Sequence, residues 1–402
     1  MMKGPFSIWA FFGLTLWIDI ATHLIFRKKE STIDPYNPIK KISVIIPLHK
    51  EPEEEIEKTI NALYKERYPI KNAILCGDAE TIISEQLFRR LAIKYHNLHY
   101  IISPFKSKAK KINYTFQKYQ KSLGDFVYVR DCRVKGAPDC IEKMVSYFSS
   151  EDVAAVTSYG RVSTPKNPFS RAYFYGKAWI NEVGRFRKNA QEKRNAVFVV
   201  CGASTMYRKS VLLHLPLSSG TKTEDTYYTW ILQKNGYRIR VADDAIVSAP
   251  EVDGEGTSGI INQLKQSYRW SSGTIQCLYR EGSDLFKNKS LAYTTILPGL
   301  LEAVMYAIPM VLLPILFFLY PAYGIGFFIG DTAFSLFGTL IILPKKFVKT
   351  LVHYPQIIFF KYLNAAVFIS ALTATTYQAI TKQTYKWTNE WLPPETTASF
   401  RI

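Results

Sequence analysis

The chain has 402 residues, 48% of them hydrophobic, and a formal net charge of +18. That balance is too apolar for an ordinary soluble protein so rich in lysine, and the length allows one large domain plus membrane spans. The positive charge would suit nucleic acid, but no helix-turn-helix, RRM or zinc-finger pattern occurs, so nucleic acid is set aside as a partner and membrane lipids are favoured.

In chain order, the first feature is a nearly continuous apolar run from Phe6 to Phe26, followed at once by Arg27-Lys28-Lys29. The basic cluster lies behind the run, and Trp9, Trp17, Asp19 and His23 fit a signal cleavage site poorly. The expectation is an uncleaved span of about 20 residues with the N-terminus outside and residue 27 onward in the cytoplasm. Ser31 to Ile39 carries Pro35 and Pro38 and reads as a linker. Lys41 to Pro47 is a β-branched run of the kind found in a buried parallel strand, and residues 53 to 66 show helical spacing. Further strands are predicted at Asn72 to Leu75, Leu98 to Ile102 and Phe126 to Val129. Strands alternating with helices imply a doubly wound α/β domain. Ligands in such folds sit at the carboxyl ends of the strands, which draws attention to His49 to Glu51, Asp78 and Asp131.

After Leu291 come three apolar stretches, at roughly 291–320, 322–344 and 356–380, the first broken by Pro298, Pro309 and Pro314. The loop Pro344 to Lys349 is basic, which suits a cytoplasmic side. The expected layout is a span in 1–30, a cytoplasmic domain in 31–285, a membrane region of about three spans in 286–382 and a polar tail in 383–402. Cys76, Cys132, Cys140, Cys201 and Cys277 are odd in number and form no CxxC, so free thiols in a reducing compartment are expected. No HExxH pair occurs; His96 and His99 read as surface or strand residues.

Seven segments carry polar groups in suggestive places. The first strand runs into Val44-Ile-Ile-Pro47-Leu-His-Lys-Glu51. Asp78 follows the second strand, where the plain reading is an acidic turn residue. Lys108-Ala-Lys110-Lys111-Ile-Asn113 follows the third strand; lysines suit a diphosphate as point charges, and the plain reading is a basic helix start at the surface. Asp131-Cys132-Arg133 follows the fourth. Cys201-Gly202-Ala-Ser-Thr-Met-Tyr-Arg208 precedes Thr223-Glu224-Asp225, where Thr223 would cap a helix with acids at its positive end. Last comes Gln266-Ser-Tyr-Arg269-Trp270. On a helix these three named positions share one face, fit for a guanidinium grip on phosphate and an indole platform for sugar. The alternative is an amphipathic membrane-surface helix with a Trp anchor.

Together these segments resemble the processive family-2 glycosyltransferases, the cellulose, chitin and hyaluronan synthase group, over roughly residues 41 to 280. One apolar span before the domain and three after it are most similar to the chitooligosaccharide synthases. The resemblance implies a GT-A-type fold with flanking transmembrane helices and inverting transfer from a UDP-sugar, UDP-GlcNAc or UDP-Glc, onto a β-linked glycan acceptor. It implies donor contacts from Pro47, Glu51, Asp78, Lys108, Asn113, Asp131 and Arg133, with Asp78 at the place of a uracil-binding acid. Asp225 would be the base, with Glu224 beside it. Gly202, Gln266, Arg269 and Trp270 would serve acceptor and diphosphate. The family's DxD pair holds Mg or Mn, but here Arg133 replaces the second acid. Either Arg133 clamps the diphosphate, or a metal rests on Asp131 and other groups, or catalysis is lost. Single transfer to a polyprenyl-phosphate or glycolipid, and a non-catalytic scaffold role in polysaccharide export, are the rival functions. The gating-loop motif of cellulose synthases is not found after Trp270.

Overall fold

A computed structural model describes residues 14–25, 40–162, 168–249 and 257–381. The first half of the expected N-terminal span, the Arg27-Lys28-Lys29 cluster, nearly all of the linker and the polar tail lie outside the described residues. In chain order the helices are α1 (Leu14–Ile25), α2 (Glu53–Leu63), α3 (Glu85–Lys94), α4 (Lys108–Tyr119), α5 (Cys140–Ser146), α6 (Pro168–Lys193), α7 (Lys209–His214), α8 (Glu224–Lys234) and α9 (Thr257–Glu281). They continue with α10 (Lys289–Leu319), α11 (Pro321–Ile342), α12 (Phe347–Val352) and α13 (Tyr354–Thr381). The chain forms two compact units. One holds the sheet, in 40–162 and 199–249; the other holds α1, α6 and the helices from 257 to 381.

The strands are β1 (Ile42–Pro47), β2 (Asn72–Gly77), β3 (Leu98–Ile102), β4 (Phe126–Arg130), β5 (Lys135–Gly136), β6 (Val153–Val162), β7 (Ser204–Arg208) and β8 (Arg238–Ala249). They make one sheet in the order β3-β2-β1-β4-β7-β6-β8-β5. The four strands expected from the sequence are present and parallel to one another. Every residue of β1, β2 and β4 is buried, as strands covered on both faces require. Beyond them the sheet is mixed, a departure from a wholly parallel doubly wound domain. β7 runs antiparallel to both β4 and β6, while β8 is parallel to β6.

From β1 the chain builds outward through β2 to β3 and then returns to lay β4 on the other side of β1. This reversal opens a crevice at the carboxyl ends of β1 and β4. Helices on the sheet follow from local pattern. In α2 the buried Ile56, Thr59, Ile60 and Leu63 fall on one helical face, and Glu53, Glu54 and Glu55 meet the positive end of the dipole. Ser84 caps α3, its hydroxyl accepting the Leu87 amide at 3.2 Å. Arg130, at the end of β4, is fully buried against Glu66 and donates Nε to the Val134 carbonyl at 2.7 Å. All five cysteines are free thiols, and all but Cys201 are buried.

In the helical unit, α10, α11 and α13 are long and apolar enough to cross a membrane. They coincide with the three stretches expected after Leu291. The π-turn Ala292–Ile296 stands just ahead of Pro298, and α10 continues through Pro309 and Pro314. Their outward faces carry Phe318, Leu319, Ile329 and Ile380 in the open. Such a continuous apolar exterior is what lipid covers. Polar ties run inside the unit. Asp19 of α1 is completely buried and accepts from Arg187 Nε at 2.9 Å and from Arg194 at 2.5 Å. Asp331 of α11 pairs with Lys361 of α13 at 2.8 Å. Gly176 lets α6 and α13 approach closely: a Cβ there would stand 2.2 Å from the Phe360 Cβ.

Candidate active site

The site in the sheet unit is assembled from strand ends and helix starts around the crevice. Helix α4 opens with Lys108, Lys110 and Lys111 in its first turn, against the dipole preference for acids there. Two of the three are held by carboxylates brought in from elsewhere. Lys111 is buried, lies 2.5 Å from the Asp78 carboxylate and donates to the Leu48 carbonyl at 2.6 Å. Lys108 lies 2.5 Å from Asp131 and donates to the Gly202 carbonyl at 2.7 Å. Lys110 stands over the Phe105 ring instead.

Asp78 is thus part of a buried ion pair, and its other oxygen accepts the Glu80 amide at 2.9 Å. Burial alone would raise its pKa, but the bond and the charge of Lys111 outweigh that and hold it below the usual carboxylate value. Asn113 brackets the backbone of Leu217, donating to its carbonyl at 2.8 Å and accepting its amide at 3.0 Å. Pro47 ends β1 in register with Cys76 of β2. Glu51 accepts the His49 amide. Burial raises its carboxyl pKa, with Arg133 opposing and Asp131 adding to the rise.

The turn after β4 sets Asp131, whose amide donates to the Ala203 carbonyl at 3.0 Å. Cys132 packs its thiol 3.5 Å from Thr59 Oγ1, and burial pushes its pKa up to about 12. Arg133 sits at φ 71°, with its amide bonded to Thr59 Oγ1 at 2.8 Å. Thr59 is thus the anchor of this turn. It was not singled out in the sequence, where it looks like one more residue of an amphipathic helix.

The opposite wall comes from α8. Thr223 stands at the N-cap position, as expected, but its side chain makes no capping bond; its carbonyl instead takes the Tyr227 amide at 3.1 Å. Glu224 and Asp225 occupy the first turn. They line one pocket with Lys108, Ala109, Ile112, Val129, Gly202, Tyr207 and Leu217. Gly202 is required by close approach: a Cβ there would stand 2.4 Å from the Asp225 carboxylate. Burial would lower the Lys108 pKa, but Asp131, Glu224 and Asp225 together raise it. Tyr207, within the Cys201–Arg208 segment but not among the expected site residues, also lines the pocket. Its signal was available as alternation along β7, which puts Thr205 and Tyr207 on one face.

Asp131, Lys108, Gly202, Glu224 and Asp225 therefore share one site, with Glu51 and Arg133 beside Asp131. Asp78 joins the same helix start through Lys111, and Asn113 holds Leu217 at the pocket wall. Gln266, Arg269 and Trp270 lie on α9 in the helical unit, and Trp270 is 46% exposed.

A sheet of this order with acids at the crevice defines a GT-A-like α/β glycosyltransferase. A family model described as Glycosyl transferase family 2 matches residues 43–215. One described as Glycosyl transferase family group 2 matches residues 136–349, more than half of the chain. The chain belongs to this glycosyltransferase family. An uncharacterized glycosyltransferase, YaiP, from Escherichia coli strain K12 is 36% identical over 83 residues, which is 21% of this chain and 20% of that protein. The chain thus matches about a fifth of that relative's length. Among solved structures, the mannosyltransferase PcManGT from Pyrobaculum calidifontis, in complex with GDP-Man and Mn2+, is similar in fold, with a TM-score of 0.63 and 17% identity. The match covers 92% of this chain and 96% of that one. GalNAc-T7 with UDP, GalNAc and Mn2+ aligns at a TM-score of 0.43 and 13% identity, over 68% of this chain and 58% of that one, too distant to carry an argument.

The resemblance raises the question of a divalent cation. At the DxD position the chain offers Asp131, which is already paired with an ammonium, then a buried protonated thiol, then an arginine. Among the described residues no three His, Cys, Asp or Glu side chains come together as a metal site. This donor set does not fit Mg or Mn.

Proposed function

We propose that the chain is a membrane-embedded inverting glycosyltransferase that moves a sugar from UDP-GlcNAc or UDP-Glc onto a growing β-linked glycan. The observation that carries this reading is the pocket where Asp225 and Glu224 face Lys108 across Gly202. Asp225 takes the proton from the acceptor hydroxyl as that oxygen attacks the anomeric carbon. The bond from the anomeric carbon to the diphosphate breaks with inversion, and cationic groups on the donor side receive the leaving charge. Gly202 lets its wall lie close to Asp225.

Gln266, Arg269 and Trp270 fit the acceptor and diphosphate role that the processive group assigns to them. The apolar helices α10, α11 and α13 support a multi-pass membrane protein, and the basic loop Pro344 to Lys349 suits a cytoplasmic catalytic side. A single transfer to a lipid-linked acceptor is the second reading, favoured by the same apolar helices. GDP-mannose is a further donor to try, since the solved neighbour binds it.

The test is nucleoside-diphosphate release by purified chain in detergent, with UDP-GlcNAc, UDP-Glc and GDP-mannose offered in turn. Asp225→Asn is expected to cost about a hundredfold or more in turnover while leaving nucleotide binding in place. Undiminished release by that variant would overturn the base assignment. Product length on a gel separates chain growth from single transfer.

A further inference from the structure

The acid pair that would hold a divalent cation is broken in this chain, and the structure shows what stands there. A hard cation such as Mg or Mn takes oxygen ligands from carboxylates and carbonyls. The Lys108 ammonium is surrounded by that kind of set: Asp131 Oδ1 at 2.5 Å and the Gly202 carbonyl at 2.7 Å. Glu224 and Asp225 add their charge to its surroundings. The second acid position is Arg133, fixed by its amide to Thr59 in the left-handed region of backbone space. Arg133 follows Asp131 by two residues in the turn that Thr59 holds, and the charges of both reach Glu51. A divalent cation resting on Asp131 would share its one carboxylate with Lys108 and lie near Arg133, and like charges at such spacing repel.

We infer that Lys108 and Arg133 together supply the positive charge for the donor's diphosphate, so that this chain binds its nucleotide without a divalent cation. The inference rests on the nucleotide-sugar reading above. Lysine brings one compact charge and arginine a second with a two-pronged fork that matches phosphate oxygens. Their sum equals the charge of one Mg or Mn ion. Lys108 spends two of its three N–H donors on Asp131 and Gly202, and the third is the one a phosphate oxygen can accept. Asp131 then acts as a positioning residue that aims the ammonium. The leaving diphosphate departs into a field made by side chains, with no metal–oxygen bond to form or break.

The full chain in detergent is titrated calorimetrically with UDP and with GDP, once in EDTA and once in manganese chloride. The expected result is binding of at least one of them, with affinities in the two buffers differing by less than about threefold. Lys108→Met and Arg133→Gln should each weaken it about tenfold or more, as loss of a charge-assisted bond predicts. Electron paramagnetic resonance of Mn2+ gives a second readout that needs no turnover. With UDP present, the parent chain leaves the free-ion signal unchanged, whereas Arg133→Asp, which restores an acid pair, depletes it. Aspartate tolerates left-handed φ, so the turn can survive that change, and a thermal melt verifies it. Nucleotide binding that EDTA weakens by about tenfold or more, or Mn2+ uptake by the parent with UDP, overturns the inference but leaves the nucleotide-sugar reading standing. Absence of UDP and GDP binding in both buffers overturns the nucleotide-sugar reading and this inference with it.

Discussion

At the scale of single residues, Asp78 is held in a buried ion pair with Lys111. After β2 an acid was expected at the nucleotide, and the structure gives its carboxylate to Lys111 inside the protein, with side chains 3% and 2% exposed. Removing it as Asp78→Ala strands a buried ammonium, which costs about 3–5 kcal/mol. The pH dependence follows from the depressed pKa. Asp78 titrates below its unfolded value of 3.8, so its contribution is present above that pH and is lost as pH falls through the folded value. The stability gap between parent and variant is therefore expected to be full at neutral pH and to close in strongly acid solution; thermal melts over a pH series measure it. A gap that stays constant on acidification would rule out the pairing. The residue types at the site were legible in the sequence: Lys108, Asp131, Gly202, Glu224 and Asp225 all follow from motif and spacing. Their partners were not. That Lys108 faces Asp131, or that Thr59 anchors Arg133, depends on strands and helices far apart in the chain.

At the scale of elements, local pattern succeeded where burial is uniform or a helical face is clean. β1, β2, β4 and α2 were readable because parallel strands buried on both faces are continuously apolar and α2 has one buried stripe. The mixed half of the sheet was harder. β6 and β8 are long and interrupted by register shifts, which blur the period that marks a strand. Nor does a single local rule explain the three lysines opening α4. They oppose the helix dipole, and a local rule broken in this way points to a functional site. In the helical unit, the α6–α13 contact depends on one missing side chain. Gly176→Ala would drive a Cβ into the base of Phe360, a backbone-near atom that cannot swing aside. The variant is expected to melt several degrees lower, and with Phe360→Gly, which removes the clashing Cβ, the two losses should be less than additive. Additive losses in the double variant would show that the two helices do not meet there.

For the whole molecule, the positive charge suits nucleic acid and membrane alike, and the apolar segments favour the membrane reading. Helices α10, α11 and α13 leave broad apolar surfaces uncovered by the protein's own packing, and a water-soluble form would have to bury them elsewhere. Expressed chain is expected to stay in the membrane pellet through an alkaline carbonate wash and to leave it only with detergent. Its release by carbonate alone would overturn the multi-pass assignment. Asp19 with Arg187 and Arg194, and Asp331 with Lys361, show how a unit with such an exterior keeps its charges paired inside.

The sequence by itself determined the class of the protein, the four parallel strands, the three apolar helices and the residue types of the site, because each is written in local periodicity or in a short run of neighbours. Only the tertiary structure decided the rest. It ran β7 antiparallel between β4 and β6, gave Asp78 to Lys111, set Gly202 against Asp225 and put the Lys108 ammonium among oxygens suited to a metal. Each of these pairs groups far apart along the chain, and no local pattern records which distant side chain the fold will bring within bonding distance.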